Sequence, residues 1–206
     1  MRALGVDPVS DTRVTFRALV DAMSHPGRIE SVPASPADHA VMATLVDHEV
    51  TLHSGDEDLQ ETLSNAGRYE PAPLEDADVV HVQNPTDGRV AEAKRGTLKE
   101  PSDGATAVYR VDDLIEVSNR DPENRDAGSR SDDVDGDSSL SDDTVALRVS
   151  GPGVPGHRTF QVAGVPAEEI GPIANINEEF PRGVDVVFAA GNRIAALPRS
   201  VAVEVV

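Results

Sequence analysis

Val184-Asp185-Val186-Val187-Phe188-Ala189-Ala190, then Gly191-Asn192, then Arg193-Ile194-Ala195-Ala196-Leu197, is the stretch that decides the fold class. Two apolar runs are joined by two residues that tolerate a left-handed backbone, which is the pattern of a tight antiparallel hairpin. Val201 to Val206 predicts a further strand. Outward from this hairpin, strand signals recur at Thr144 to Val149 and Thr159 to Val162, separated by Gly151-Pro152-Gly153-Val154-Pro155-Gly156. That separator reads as a rigid turn. It is not a phosphate loop, because it lacks Gly-Lys-Ser/Thr and no helix follows. Asp78 to Val82 and Ala105 to Val111 are short apolar runs flanking a polar loop, Gln83 to Gly104, which holds both lysines, Lys94 and Lys99. Glu49 to His53 alternates like a short strand.

The helical signals lie earlier. Asp11 is placed to cap a helix whose apolar positions Phe16, Leu19, Val20 and Met23 follow the spacing of one buried face. Ser24-His25-Pro26-Gly27 ends it, since Pro and Gly do not continue a helix. Ser35-Pro36 predicts a second start, with Val41, Met42 and Leu45 turned inward. Ser54-Gly55-Asp56-Glu57 predicts a third, running to about Ser64. The chain shows no internal repeat. It reads as a single mixed α/β domain over residues 1–206, helices early and antiparallel strands late.

Charge is the dominant compositional feature: 37 acidic against 18 basic residues, a formal net charge of −19. A basic-partner binder or nucleic-acid mimic, a disordered acidic chain, and a protein that stays folded in molar salt are the three readings. At ~1 M salt the Debye length is ~3 Å, so self-repulsion of such a surface is largely screened. Carboxylates spread along the whole chain, only two lysines, and a core of Val, Ala and Leu fit the third reading best. The balance argues against nucleic-acid binding through a basic patch. With no cysteine, this chain has no disulfide, thiolate nucleophile or cysteine-bound iron–sulfur cluster. No run approaches the ~18 apolar residues of a membrane-spanning helix, and the start lacks a signal peptide's apolar stretch, so a cytoplasmic location is expected.

Residues 119–143 differ from the rest: Ser, Gly and Asp predominate, and the segment reads as a flexible acidic surface insertion rather than a domain boundary. Ser131, Asp133, Asp135, Gly136 and Asp142 loosely echo a calcium loop, but without flanking amphipathic helices a solvated acidic loop is the better account. His39, His48 and His53 show no metal-ligand spacing, and no Ser–His–Asp signature, nucleophile elbow or dinucleotide fingerprint is present. No catalytic, cofactor-binding or metal residue is assigned. Asp185 stands apart because it lies between Val184 and Val186. If it points inward it needs a partner, and Arg182, Arg193 or Arg199 is available.

Five segments together resemble the PhnH family of carbon–phosphorus lyase subunits. They are Phe16 to Arg28, Thr44 to Asp47, Gly96-Thr97 with Pro101 and Gly104 to Thr106, Leu147 to Val154, and Phe180-Pro181-Arg182-Gly183-Val184-Asp185 followed by Ala196-Leu197-Pro198-Arg199-Ser200. They occur in the family's order and cover most of the chain outside 119–143, in a haloarchaeal-like version. Ser200-Val201 stands where the family tends to show a Thr pair, and the acidic insertion looks additional.

The resemblance implies a homodimeric accessory subunit with a fold like that of pyridoxal-phosphate (PLP)-dependent transferases, lacking the PLP site. It implies partners, a nucleosidase-type and a radical iron–sulfur subunit. With ATP-Mg, the complex replaces the adenine of ATP by an alkylphosphonate, giving ribose 1-phosphonate 5-triphosphate. Two contributions are open to the chain. It scaffolds the complex, or Arg17, Arg28, Arg182 and Arg199, with Asp185, serve as anion or interface contacts, since a guanidinium fork suits phosphate-like groups. Outside the family, a stand-alone acidic ligand- or protein-binding module is the alternative.

Overall fold

The computed structural model describes residues 4–117 and 144–206. The expected acidic insertion and its calcium-loop echo lie outside the described residues. The described chain forms eleven strands: β1 (Ile29–Ser31), β2 (Thr51–Ser54), β3 (Glu70–Pro71), β4 (Val79–Val82), β5 (Thr106–Arg110), β6 (Asp113–Glu116), β7 (Thr144–Gly151), β8 (Val154–Ala163), β9 (Asp185–Ala190), β10 (Arg193–Leu197) and β11 (Ala202–Val205). Among them run the helices α1 (Ser10–Ser24), α2 (Ala37–Leu45), α3 (Glu57–Asn65) and α4 (Ala167–Asn177). The architecture is mixed α/β, as the patterning predicts.

A seven-stranded sheet in the order β1-β10-β9-β5-β4-β2-β3 forms the centre. The hairpin is there: β9 and β10 pair antiparallel, Ala190 opposite Arg193, across Gly191 with φ +54°. Beyond it, β9, β5, β4, β2 and β3 all run parallel. A second, antiparallel sheet has the order β11-β7-β8-β6. Its central hairpin turns on Pro152-Gly153 alone, with Gly153 at φ +80°, so β7 and β8 run into the expected Gly/Pro separator.

Alternation along the central strands builds two cores. Val186, Phe188 and Ala190 of β9 face the small sheet and α4, against Leu147, Phe160 and Ile173. Val187 and Ala189 face the helices, against Leu19, Val41, Met42, Leu59 and Leu63. The middle of the large sheet is thus covered on both faces, which is why its strands β4, β9 and β10 are mostly apolar.

Helix α1 departs from expectation in two ways. Val9, not Asp11, holds the N-cap position; Asp7 accepts from the backbone N–H of Val9 and of Ser10, at 3.0 and 2.8 Å. The buried face is Thr15, Ala18, Leu19 and Ala22, while Phe16 and Val20 are 57% and 46% exposed. The reason is close helix packing: α1 lies on α2, which contributes Ala37, Ala40 and Ala43 to the same core, and small residues let the backbones approach. Asp56 rather than Ser54 caps α3, accepting from Leu59 N–H at 3.0 Å. The helix α4 carries Pro172 in its interior and was not evident from the sequence.

Candidate functional site at the carboxyl ends of the parallel strands

The parallel strands β2, β4 and β5 end at one edge of the large sheet, where side chains from several elements converge in open α/β folds. Ser54 is the last residue of β2 and Arg110 the last of β5. His81 lies on β4 between Val80 and Val82; those two face the small sheet, so His81 faces α2. The first turn of α2 supplies Asp38 and His39, and the cap of α3 supplies Asp56.

These groups bind one another. His81 Nδ1 is 3.0 Å from Ser54 Oγ, and its Nε2 is 2.9 Å from Asp38 Oδ2. Arg110 donates from Nε to Asp38 Oδ2 at 2.6 Å and from a terminal nitrogen to Asp56 Oδ2 at 3.1 Å. Gln83 donates to the same Asp56 oxygen at 2.8 Å. His39 Nε2 stands 2.9 Å from Arg110 and 3.0 Å from Asp56 Oδ2. A bare nitrogen there accepts from the guanidinium; a protonated one donates to the carboxylate.

Burial pushes the Asp38 carboxyl up, but the hydrogen bond from His81 and the charge of Arg110 outweigh it and hold the group below the ordinary carboxylate value. Burial is likewise overcome at Asp56, by His39, by the Leu59 N–H and by Arg110. Both carboxylates are therefore ionised at neutral pH. The second oxygen of Asp38, Oδ1, is buried without a partner among the described residues.

Serine hydroxyl, imidazole and carboxylate stand in line, an arrangement the sequence does not announce. In nucleophilic catalysis that order activates the hydroxyl. Here Ser54 Oγ also accepts from the backbone N–H of Asp56 at 3.1 Å, and the His81 side chain is 0% exposed. The chain of groups ties β2, β4, β5, α2 and α3 together. A cleft of about 360 Å³ opens beside it, lined by His53, Gly55, Leu74, Gln83, Thr86 and Arg89. Glu169 of α4 fixes the far wall: it accepts from Thr86 Oγ (2.5 Å), Tyr109 Oη (2.8 Å), Gly88 N (3.0 Å) and Thr86 N (3.1 Å). Burial, then the Glu169 charge, push the Tyr109 hydroxyl up. Among the described residues no group of three or more His, Asp or Glu is arranged to hold a metal ion.

The five residues singled out from the sequence fall into separate places. Asp185 and Arg199 come together: Asp185 accepts from the Arg199 backbone N–H at 2.7 Å and from both Nε and a terminal nitrogen of the guanidinium. The same guanidinium donates to the Pro101 carbonyl at 2.7 Å and the Gly104 carbonyl at 3.2 Å. Arg199 is therefore a clamp inside the fold. Arg182 pairs with Glu179 at 2.5 Å on the surface. Arg28 is exposed beside Arg158, and Arg17 is exposed on α1. The four arginines do not meet in one pocket. The cleft next to Arg199 is lined by Asn177, Phe180, Ser200 and Val201, but by none of the other three.

Residues 5–204 match the family model described as bacterial phosphonate metabolism protein, PhnH. The chain belongs to the PhnH family. It is also 28% identical over 193 residues to a protein of Stutzerimonas stutzeri named putative C-P lyase subunit protein HtxG, covering 91% of this chain and 83% of that protein. Two of the five PhnH segments, the one holding Pro101 and Gly104 and the one holding Gly183, Asp185 and Arg199, meet at the Asp185–Arg199 clamp: Gly104 and Gly183 both lie against Arg199, and a Cβ on Gly104 would collide with its guanidinium. Asn177 completes this PhnH hub, accepting from Val184 N at 2.9 Å and donating to Val184 O at 3.0 Å. The polar cluster of Asp38, His39, Asp56, His81 and Arg110 went unread because its members are far apart in sequence. One signal was available: His81 interrupts the apolar run Val79 to Val82 much as Asp185 interrupts its own.

Proposed function

We propose that this PhnH-family chain is an accessory, non-catalytic subunit of a carbon–phosphorus lyase complex. The complex uses ATP-Mg to form ribose 1-phosphonate 5-triphosphate from an alkylphosphonate, releasing adenine. The observation that carries the reading is the family match across residues 5–204. The chain's own groups support the division of labour. A radical iron–sulfur step needs cysteines, and the chain has none. A Schiff base needs a deprotonated lysine, whereas Lys94 donates to Asp78 at 2.7 Å and that bond raises its pKa. Ser54, His81 and Arg110 are committed to partners within the cluster. Nucleosidase-type and radical subunits then supply the chemistry, and this subunit supplies surface. The reading includes a homodimer, a reduced PLP-transferase-like fold without the PLP site, and a high-salt cytoplasm; the −19 net charge supports the last.

The test is co-expression of the tagged chain with the other carbon–phosphorus lyase subunits of the same organism, followed by purification in molar KCl. The expected result is a stoichiometric complex that consumes ATP and methylphosphonate only when this chain is present. A monodisperse chain that captures no subunit at high or low salt refutes the reading.

A further inference from the structure

Of the twelve arginines among the described residues, nine are engaged through their side chains within the chain. Arg89, Arg95, Arg110, Arg148, Arg182, Arg193 and Arg199 pair with carboxylates. Arg68 and Arg158 donate to backbone carbonyls. Arg13, Arg17 and Arg28 alone among the described arginines have no ion pair or hydrogen bond from the side chain. All three are exposed, and all three lie on α1 or directly after it. In a chain with 37 acidic residues, cations left without a carboxylate are a local departure from the rest of the surface.

The same helix face carries the misplaced apolar residues. Val9, Arg13, Phe16, Arg17 and Val20 follow the i, i+4, i+7, i+8, i+11 spacing of one helical stripe. Val9, Phe16 and Val20 are 77%, 57% and 46% exposed. The opposite face, through Ala18, Leu19 and Ala22, is the one packed on α2 and the large sheet. An aromatic anchor flanked by guanidinium groups is the composition enriched at the centres of protein interfaces.

We propose that the outer face of α1 is the docking surface for another subunit of the complex, one presenting an apolar patch rimmed by carboxylates. This rests on the reading of the chain as an accessory subunit. Charge complementarity selects the occupant. Arg13 and Arg17 find on such a partner the carboxylates that they lack among the described residues, and a guanidinium fork holds a carboxylate in two-point geometry. Phe16 and Val20 supply the apolar centre, which keeps its strength when molar salt screens the rim. A second copy of this chain fits less well, since its matching face presents arginines to arginines. A lipid surface fits less well too, because the apolar stripe is narrow and anionic headgroups repel a chain of net charge −19.

The test compares the full chain with Phe16→Ala, with Arg13→Glu/Arg17→Glu, and with Leu98→Ala, another exposed apolar residue at 75% exposure. Each is co-expressed with the other lyase subunits and purified in molar KCl, and affinities are measured on the separated components. Thermal unfolding checks that each variant is folded. Phe16→Ala is expected to weaken subunit binding by about thirtyfold, the size of an interface anchor. The charge reversal is expected to weaken it too, by less than Phe16→Ala where molar salt screens the rim, and Leu98→Ala to leave it unchanged. Variants that bind as the wild type does overturn the α1 assignment and leave the accessory-subunit reading intact. A wild type that captures nothing overturns that reading and this one with it. Loss of self-association in sedimentation without loss of capture assigns the face to a second copy. Arginine-dependent flotation with anionic vesicles assigns it to a membrane. Either result overturns the proposal.

Discussion

Removing the Asp38 carboxylate tests whether the cluster at the strand ends holds the fold together. In Asp38→Ala, His81 loses the acceptor at 2.9 Å for a ring that is 0% exposed, and Arg110 loses the acceptor at 2.6 Å. An abandoned buried donor costs about 1–3 kcal/mol. Two features reduce the total. Arg110 is 35% exposed and keeps Asp56, so its share is discounted to about 1 kcal/mol for solvent screening. The variant also no longer desolvates a carboxylate, one of whose oxygens has no partner. The net expectation is a loss of about 2–3 kcal/mol. For a chain of this size that lowers Tm by roughly 5–10 °C. The assay is urea unfolding at constant molar KCl, because guanidinium chloride would change the ionic strength along with the denaturant. Acid supplies the control. The folded-state pKa of Asp38 is depressed, so its contribution is fully present above the unfolded value of ~3.9 and is lost as pH falls through the lower folded value. The gap between wild type and variant should stay open at pH 7 and close well below pH ~4. A difference under about 0.5 kcal/mol at pH 7, within the range of an ordinary surface substitution, would falsify the cross-tie.

Arg199→Met should cost about 3–5 kcal/mol, since it takes the guanidinium from two carbonyls and from Asp185, which keeps only the backbone N–H of residue 199, and Arg199→Lys should not restore it because the fork is lost. Thermal unfolding of both variants checks this, and equal stability of Lys and wild type would contradict the clamp. Glu169→Gln keeps an oxygen on the Thr86 and Gly88 N–H groups only by turning its N–H₂ to the Thr86 and Tyr109 hydroxyls, which must reverse to accept, and the bonds to the N–H groups lose their charge-assisted strength, so hydrogen exchange of residues 86–88 should speed up by about tenfold while amides in β9 keep their protection. Lys94→Met should change stability by less than about 1 kcal/mol, because the Lys94–Asp78 pair is 35% and 36% exposed. A larger loss in urea melts would mean the pair carries more than a surface contact does.

The hairpin was legible because it satisfies two local rules at once, apolar runs and a two-residue turn of the right type, and its register needs nothing from elsewhere. The starts of α2 and α3 were legible for the same reason, to within two residues. The buried face of α1 was not. Periodicity pairs large apolar residues, Phe16 with Leu19, Val20 and Met23, whereas the actual contact is small against small, Ala18 and Ala22 on the alanines of α2. Helix α4 was hidden by Gly171-Pro172, which argue against helix locally and are overridden by the burial of Ile170, Ile173 and Ile176. The clamp was half visible. Asp185 in an apolar strand demanded a cation, but three arginines were within reach in sequence and only tertiary placement chose Arg199. Five of the cluster's ionisable groups sit on four separate elements or their ends, so no spacing rule could collect them.

The order of the strands in the large sheet has a consequence for synthesis. β5 pairs with β9, Thr106 opposite Asp185, and β1 pairs with β10, Ile29 opposite Ala195. The apolar undersides of α1 and α2 therefore have no complete sheet to lie on until the last hairpin leaves the ribosome. An emerging chain must hold Leu19, Val41 and Met42 unsheltered through the translation of nearly everything between, a long exposure that favours trapped or aggregated forms. Nascent chains arrested before Gly191 should stay protease-sensitive throughout the helical layer, and those released past Leu197 should become resistant in a single step.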